Sequence, residues 1–233
     1  MNLLFNAFLT LGVACVTGMA HSQAATPAQA PQQQTAAAGS GASIEAKVAM
    51  CMGCHNIRGY QASFPEVHKV PMIAGQSAKY IAAALNAYRN GDRKHPTMRG
   101  IAVSLTEQDV ATISAYYESL PKDEVKPLGD KPKREPNAQV AGLLQKAACA
   151  SCHGVNFSKP IDPGYPKIAG QHGDYLFVAL KAYKAENNPA VGRNNGVMGA
   201  IAKQFSNAEL KAISNYMASL DSELRVHPEP RFR

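Results

Sequence analysis

One unit occurs twice in this chain, and a duplication of that kind restricts the fold to two similar units that each close around their own core. Cys51-Met52-Gly53-Cys54-His55 recurs as Cys149-Ala150-Ser151-Cys152-His153, 98 residues on. Pro71-Met72-Ile73-Ala74-Gly75-Gln76 recurs as Pro166-Lys167-Ile168-Ala169-Gly170-Gln171, 95 residues on. Tyr80, Leu85, Ala87 and Tyr88 keep that offset to Tyr175, Leu180, Ala182 and Tyr183. Met98, Ile101, Ala102, Tyr116 and Leu120 match Met198, Ile201, Ala202, Tyr216 and Leu220 at an offset of 100. The second copy is therefore three residues shorter ahead of its proline and five longer ahead of its methionine. Shared landmarks in one order, with small loop changes, are what a duplicated domain leaves behind.

Helical patterning dominates both copies. Thr106-x-x-Asp109 and Ser206-x-x-Glu209 place a capping hydroxyl three residues before a carboxylate, which is how a capping box opens a helix. Val110, Ile113, Tyr117 and Leu120 then share a face, as do Leu210, Ile213, Met217 and Leu220. Tyr80, Ile81, Ala84, Leu85 and Tyr88 form another face in a helix from about Ser77 to Asn90, with Gly91 as its terminator. Further helices lead into each Cys motif from about Ser43 and Asn137. Alternating strand patterns are scarce, so each unit is expected to be a small all-α domain. Residues 121–136 hold four Pro and nine charges and can form neither a core helix nor a central strand, so they read as an extended, solvated linker. The expected domains are residues 43–120 and 137–233, the second with a polar tail after Leu220.

Residues 3–20 are the one run apolar enough to consider for a membrane, which excludes a polytopic membrane protein. The run is short, is broken by Asn6 and Gly12, and leads to Ser22-Gln23-Ala24, a small-x-small cleavage pattern. Residues 1–24 are therefore expected to be an export signal peptide, with a retained anchor as the competing reading. Residues 25–42 carry no charge and no apolar period, and read as a flexible leader. The chain has 24 Lys and Arg against 17 Asp and Glu, giving +7, without the dense basic runs of a nucleic-acid binder. Residues 25–126 hold ten basic and eight acidic side chains, and residues 127–233 hold fourteen and nine. The two units would thus steer charged partners differently.

C-x-x-C-H is the attachment signature of c-type haem. Two thiols one short turn apart can reach the two vinyl groups of one porphyrin, and the adjacent His presents its imidazole to the iron from the same side. A shared Cys₄ zinc site would need its Cys pairs close in sequence, yet 94 residues separate Cys54 from Cys149. A thioredoxin-like dithiol would need a βαβ surround, and a disulfide would explain neither the His nor the duplication. Two haems are expected, attached at Cys51 and Cys54 and at Cys149 and Cys152, with His55 and His153 on the irons. A thioether as sixth ligand raises the reduction potential of a His-ligated haem and closes the iron to substrate. Met98 and Met198 are the methionines at equivalent places, 43 and 45 residues after His55 and His153. Met72 faces Lys167, Met217 faces Tyr117, and Met50 and Met52 face Ala148 and Ala150, so these are expected to be packing residues. His68, His95 and His172 face Pro163, Asn195 and Ser77, and His227 lies in the tail. A bis-His arrangement could hold for at most one haem, and all four are expected to be ordinary surface histidines.

With these residues in place, the chain resembles the dihaem cytochrome c4 family, two class-I cytochrome c domains fused in tandem. The resemblance covers roughly residues 43–220 and rests on the paired C-x-x-C-H motifs, the paired Pro-x-Ile-Ala-Gly-Gln segments and the Met-x-x-Ile-Ala runs at Met98 and Met198. It implies a periplasmic electron carrier, often membrane-associated, taking electrons from a quinol-oxidising complex towards a terminal haem-copper oxidase. It also implies that the carbonyls of Pro71 and Pro166 accept the Nδ1–H of His55 and His153. A charge-free start to the apolar run and the uncharged leader depart from the family's pattern. The rival readings are a dihaem electron-transfer subunit of a larger membrane dehydrogenase or reductase, and an enzyme, either a dihaem peroxidase or a thiosulfate-oxidising dihaem protein, with one haem open or Cys-ligated. Beyond the four attachment thiols only Cys15 remains, which leaves no thiol for a Cys-ligated iron, and paired Met ligation would close the iron that a peroxidase needs open.

Overall fold

The computed structural model describes residues 43–120 and 128–228. The expected signal peptide and leader, and residues 121–127 of the linker, lie outside the described residues. In the first unit the Ser43 side chain caps α1 (Ile44–His55), which buries Val48 and Met52 and ends in the Cys motif. A two-residue hairpin follows, β1 (Gln61–Ala62) against β2 (His68–Lys69). Next comes α2 (Ala78–Asn90), closed by Gly91 in the left-handed conformation at φ +86°. After β3 (Arg93–Lys94), α3 (Pro96–Val103) starts with proline in its first turn, and α4 (Glu107–Ser119) opens on the expected capping box. Ile81 and Leu85 of α2 pack with Val110, Ile113 and Tyr117 of α4 and with Val48 and Met52 of α1 in one core.

The second unit repeats this order with α5 (Ala138–Lys146), α6 (Ala150–His153), α7 (Gly173–Lys184), β4 (Gly192–Arg193), α8 (Gly196–Ala202) and α9 (Asn207–Ala218). Its own core joins Val140, Leu143, Phe157, Phe205, Leu210, Ile213, Met217 and Leu220. The three missing residues fall where the first unit has its β1–β2 hairpin, and the five extra ones lengthen the loop between α7 and β4. One difference is internal: the helix expected from Asn137 into the Cys motif is broken. Ala148 sits at φ +49° between α5 and α6, and the Cys149 N–H reaches back five residues to the Leu144 carbonyl. Among the described residues the fold is thus helical with four two-residue strands, and no helix is long and apolar enough to cross a membrane.

Three contacts were not legible in the sequence. Residues 128–136 lie along the second unit, where Gly129 and Arg134 accept hydrogen bonds from Asn156 and Tyr216. The tail after Leu220 returns to the first unit. Leu224 is only 1% exposed, and the Arg225 N–H donates to the Ala74 carbonyl. His68, expected on the surface, is buried because the second unit covers it: its Nδ1–H donates to the Glu66 carbonyl and its ring lies against Tyr175.

In α4, hydrogen bonds from Lys47 and then Thr106 hold the Asp109 carboxyl down at about 2, against an ordinary value of 3.8. A depressed carboxylate stabilises the fold above its ordinary range and ceases to do so as pH falls through the folded value. Thr106→Ala should cost about 1 kcal/mol in urea unfolding at neutral pH. Asp109→Asn should also destabilise, and its deficit should shrink between pH 3.8 and pH 2; a deficit that stays constant to pH 2 would remove the charge from the explanation.

Candidate functional site

The last turn of α1 presents Cys51, Cys54 and His55, and the matching turn of α6 presents Cys152 and His153, with Cys149 at its cap. All four thiols are free and half-buried. Burial raises Cys51 and Cys149 to about 11, with Cys54 and Cys152 adding to the effect. Among the described residues no three His, Cys, Asp or Glu side chains are placed to hold a metal ion by themselves, so the two Cys pairs do not meet in a shared Cys₄ site.

Each motif histidine is tied at one nitrogen. His55 Nδ1–H donates to the Pro71 carbonyl at 2.8 Å, and His153 Nδ1–H donates to the Pro166 carbonyl at 2.9 Å. Burial lowers both pKa values, and the proline bonds oppose it only in part. The rings are therefore neutral near pH 7, with Nε2 as the one lone-pair nitrogen available to a metal. This is the bond that the family resemblance implies.

Met98 and Met198 sit half-buried in the first turns of α3 and α8. The two helices are capped by chemically different residues at one position. His95 Nδ1 accepts from the Met98 N–H at 3.3 Å, and Asn195 Oδ1 accepts from the Met198 N–H at 2.9 Å. His95 is thus a helix cap, and it lies near enough to His55 to lower that ring's pKa. A residue opposite an asparagine, just ahead of a helical proline, carried that signal in the sequence. Cys51 and Met98 pack on the same core of the first unit.

Two further residues escaped the sequence reading. Arg93 and Arg193 face one another across the antiparallel β3–β4 pair, at the offset of 100 that Met98 and Met198 also keep. Arg93 donates to the Tyr80 hydroxyl at 3.2 Å and lies 5.2 Å and 5.7 Å from the centres of the Tyr80 and Tyr88 rings. Arg193 donates to Tyr175 at 3.0 Å and lies 5.5 Å from the Tyr175 and Tyr183 rings. Burial raises the Tyr80 pKa, but the two cations and their hydrogen bonds outweigh it and lower the value overall. Burial lifts Tyr175 to about 12. Among the described residues no carboxylate pairs with either guanidinium, although paired charge is the usual condition for burying one.

The donor set fits a c-type haem in each unit. Two soft thiols stand on one helical turn, an imidazole offers only Nε2, a thioether stands on a separate helix, and two guanidinia have no carboxylate partner among the described residues. The comparisons agree. The family model for cytochrome c matches residues 36–121 and 138–221, and the chain belongs to that family, with two domains in tandem. It is 29% identical to cytochrome c4 of Pseudomonas aeruginosa, over 94% of this chain and 98% of the relative. It is 28% identical to a thiosulfate dehydrogenase electron acceptor of Stutzerimonas stutzeri, over 72% of this chain and 79% of that one. A solved cytochrome c4 structure from Acidithiobacillus ferrooxidans shares the fold at a TM-score of 0.53 and 24% identity, covering 74% of this chain and 99% of that one. The protein is a dihaem c-type cytochrome, an electron carrier with two covalently bound haems.

The Pro-x-Ile-Ala-Gly-Gln segments that tie the histidines depend on their glycines. Gly75 stands at φ +83°, and a Cβ there would lie 2.5 Å from the Glu223 carbonyl oxygen; at Gly170, φ +65°, it would meet Ser222 Cβ at 2.3 Å and the Leu220 carbonyl oxygen at 2.8 Å. Gly75→Ala and Gly170→Ala should each destabilise the holoprotein by on the order of 1–3 kcal/mol in urea unfolding. Native-like midpoints would show that these turns can relax.

Proposed function

We propose that Cys51 and Cys54 hold one haem and Cys149 and Cys152 the other through thioether bonds. His55 and Met98 would hold the first iron, and His153 and Met198 the second. The observation that carries this reading is the matched pair of imidazoles, each with Nδ1–H bound to a proline carbonyl and Nε2 left for a metal. When bound, each haem supplies a one-electron iron couple. The chain's own residues orient the imidazoles, raise their basicity through the proline bonds, would offer a thioether as a further ligand, and exclude water with the apolar helices around each site. Arg93 and Arg193 offset the negative charge of haem carboxylates near the contact between the units.

We take the domains as residues 43–120 and 137–233, joined by the linker 121–136, behind an export signal at 1–24 and a leader at 25–42. On this reading the protein is periplasmic and carries electrons from a quinol-oxidising complex towards a terminal haem-copper oxidase. Exposed apolar side chains flank both motifs and suit brief docking of redox partners: Met50 and Ile57 in the first unit, Val155 and Ile161 in the second. A second donor class is favoured by two relatives named as thiosulfate dehydrogenase electron acceptors. There the electrons would come from a thiosulfate dehydrogenase rather than from a quinol-oxidising complex.

The mature protein should carry the mass of two haems. Met98→Ala and Met198→Ala should each lower one of its two reduction potentials by more than about 60 mV, the one-electron equivalent of tenfold. A variant that leaves both potentials in place would strike that methionine from the ligand set. Stopped-flow reduction by each candidate donor then separates the two routes.

A further inference from the structure

The side-chain amides of Gln76 and Gln171 cross between the two units, and both are buried, 3% and 4% exposed. Gln171 Nε2–H donates to the Met72 carbonyl at 2.8 Å, while its Oε1 accepts from the Met72 N–H at 3.0 Å. Gln76 mirrors it, donating to the Lys167 carbonyl and accepting from the Lys167 N–H, both at 3.0 Å. Each Oε1 takes a second hydrogen bond from the residue that follows its own glutamine, Ser77 N–H at 3.1 Å and His172 N–H at 3.0 Å. Two backbone donors converge on each of these atoms, so only an oxygen can stand there and the amide orientation follows from the network.

The Met72 N–H and the Pro71 carbonyl are the two ends of one peptide group, and so are the Lys167 N–H and the Pro166 carbonyl. An unbroken line of hydrogen bonds therefore runs from His55 Nδ1–H to the Pro71 oxygen, through that amide, and from the Met72 N–H to Gln171 Oε1. The same line runs from His153 through Pro166 and Lys167 to Gln76. Drawing on the N–H end of an amide pushes electron density onto its oxygen. In a chain of this kind each bond strengthens the next by roughly 10–30%. A stronger acceptor for Nδ1–H makes the ring a more basic ligand, and a more basic ligand favours the oxidised iron.

We infer that Gln171 and Gln76 are positioning residues that act across the contact between the units, each orienting and tuning the motif histidine of the other one. Docking of the units thereby lowers both reduction potentials. The inference rests on His55 and His153 being the iron ligands.

Stepwise reduction of the holoprotein, followed by proton NMR of the haem methyl groups, assigns a potential to each haem. Gln171→Met keeps the length of the side chain and removes its polar atoms. It should raise the potential of the haem at Cys51 and Cys54 by about threefold in equilibrium constant, about 30 mV at 59 mV per tenfold, and leave the other unmoved. Gln76→Met should do the converse. Gln171→Glu retains an acceptor for the Met72 N–H, so it should leave that potential at or below the native value. If the Met variant fails to mature, the Glu variant carries the test, and a raised potential there overturns the inference. An equal shift at both haems, a shift confined to the variant's own unit, or no shift also overturns it. The unmutated protein is the control. If it lacks His–Met low-spin spectra, the ligand assignment falls and the inference with it; if it has them and the potentials do not cross over, the inference alone falls.

Discussion

The peptide groups after Pro71 and Pro166 are hydrogen-bonded at both edges, to a histidine of their own unit on one side and to a glutamine of the other unit on the opposite side. Much of the rest of the structure follows from that demand. A buried side-chain amide left without partners is costly, and Gln76 and Gln171 find theirs on the backbone of the opposite segment. The two Pro-x-Ile-Ala-Gly-Gln segments must therefore lie side by side in one register. Left-handed glycines ahead of each glutamine supply the turn, and the returning tail packs over both of them through Glu223 and Ser222.

Charge is arranged around the same contact. Arg93 and Arg193 meet on a two-strand pair and are flanked by Tyr80, Tyr88, Tyr175 and Tyr183, whose ring faces attract cations. Aromatic faces and hydroxyls moderate two like charges in a half-buried place, yet leave them without a counter-ion of their own among the described residues. A cofactor that brings carboxylates is the complement of that arrangement. Around this centre the ion pairs of Lys79 with Asp162 and Lys181 with Glu66 join the units at the surface, where such pairs add little beyond orientation.

Local chemistry was legible in the sequence. The capping boxes at Thr106 and Ser206 depend on residues three apart, the buried faces of α2, α4 and α9 on spacings of three and four, and the Cys motifs on five consecutive residues. Each needs only a helical backbone to take effect. The paired Pro-x-Ile-Ala-Gly-Gln segments were visible as a repeat, but their reciprocal grip was not, because a glutamine before a helix looks like any polar cap until its partner is in place. His68 was read as a surface residue for the same reason, since Tyr175, which lies against it, belongs to the other unit. The break at Ala148 left no sequence signal, because alanine is a strong helix former.

By itself, then, the sequence determined that two helical units exist, where the capped helices α1, α2, α4, α5 and α9 begin, and which thiols, imidazoles and thioethers recur at equivalent places. Those properties arise from spacings within a single chain segment. Only the tertiary structure decided that the Arg93–Arg193 pair would form, that Leu224 and the tail would return to the first unit, and that each motif histidine would be linked to a glutamine from the other side. Those contacts join groups roughly a hundred residues apart, and their energy lies in burial and hydrogen bonding between surfaces that no local pattern describes.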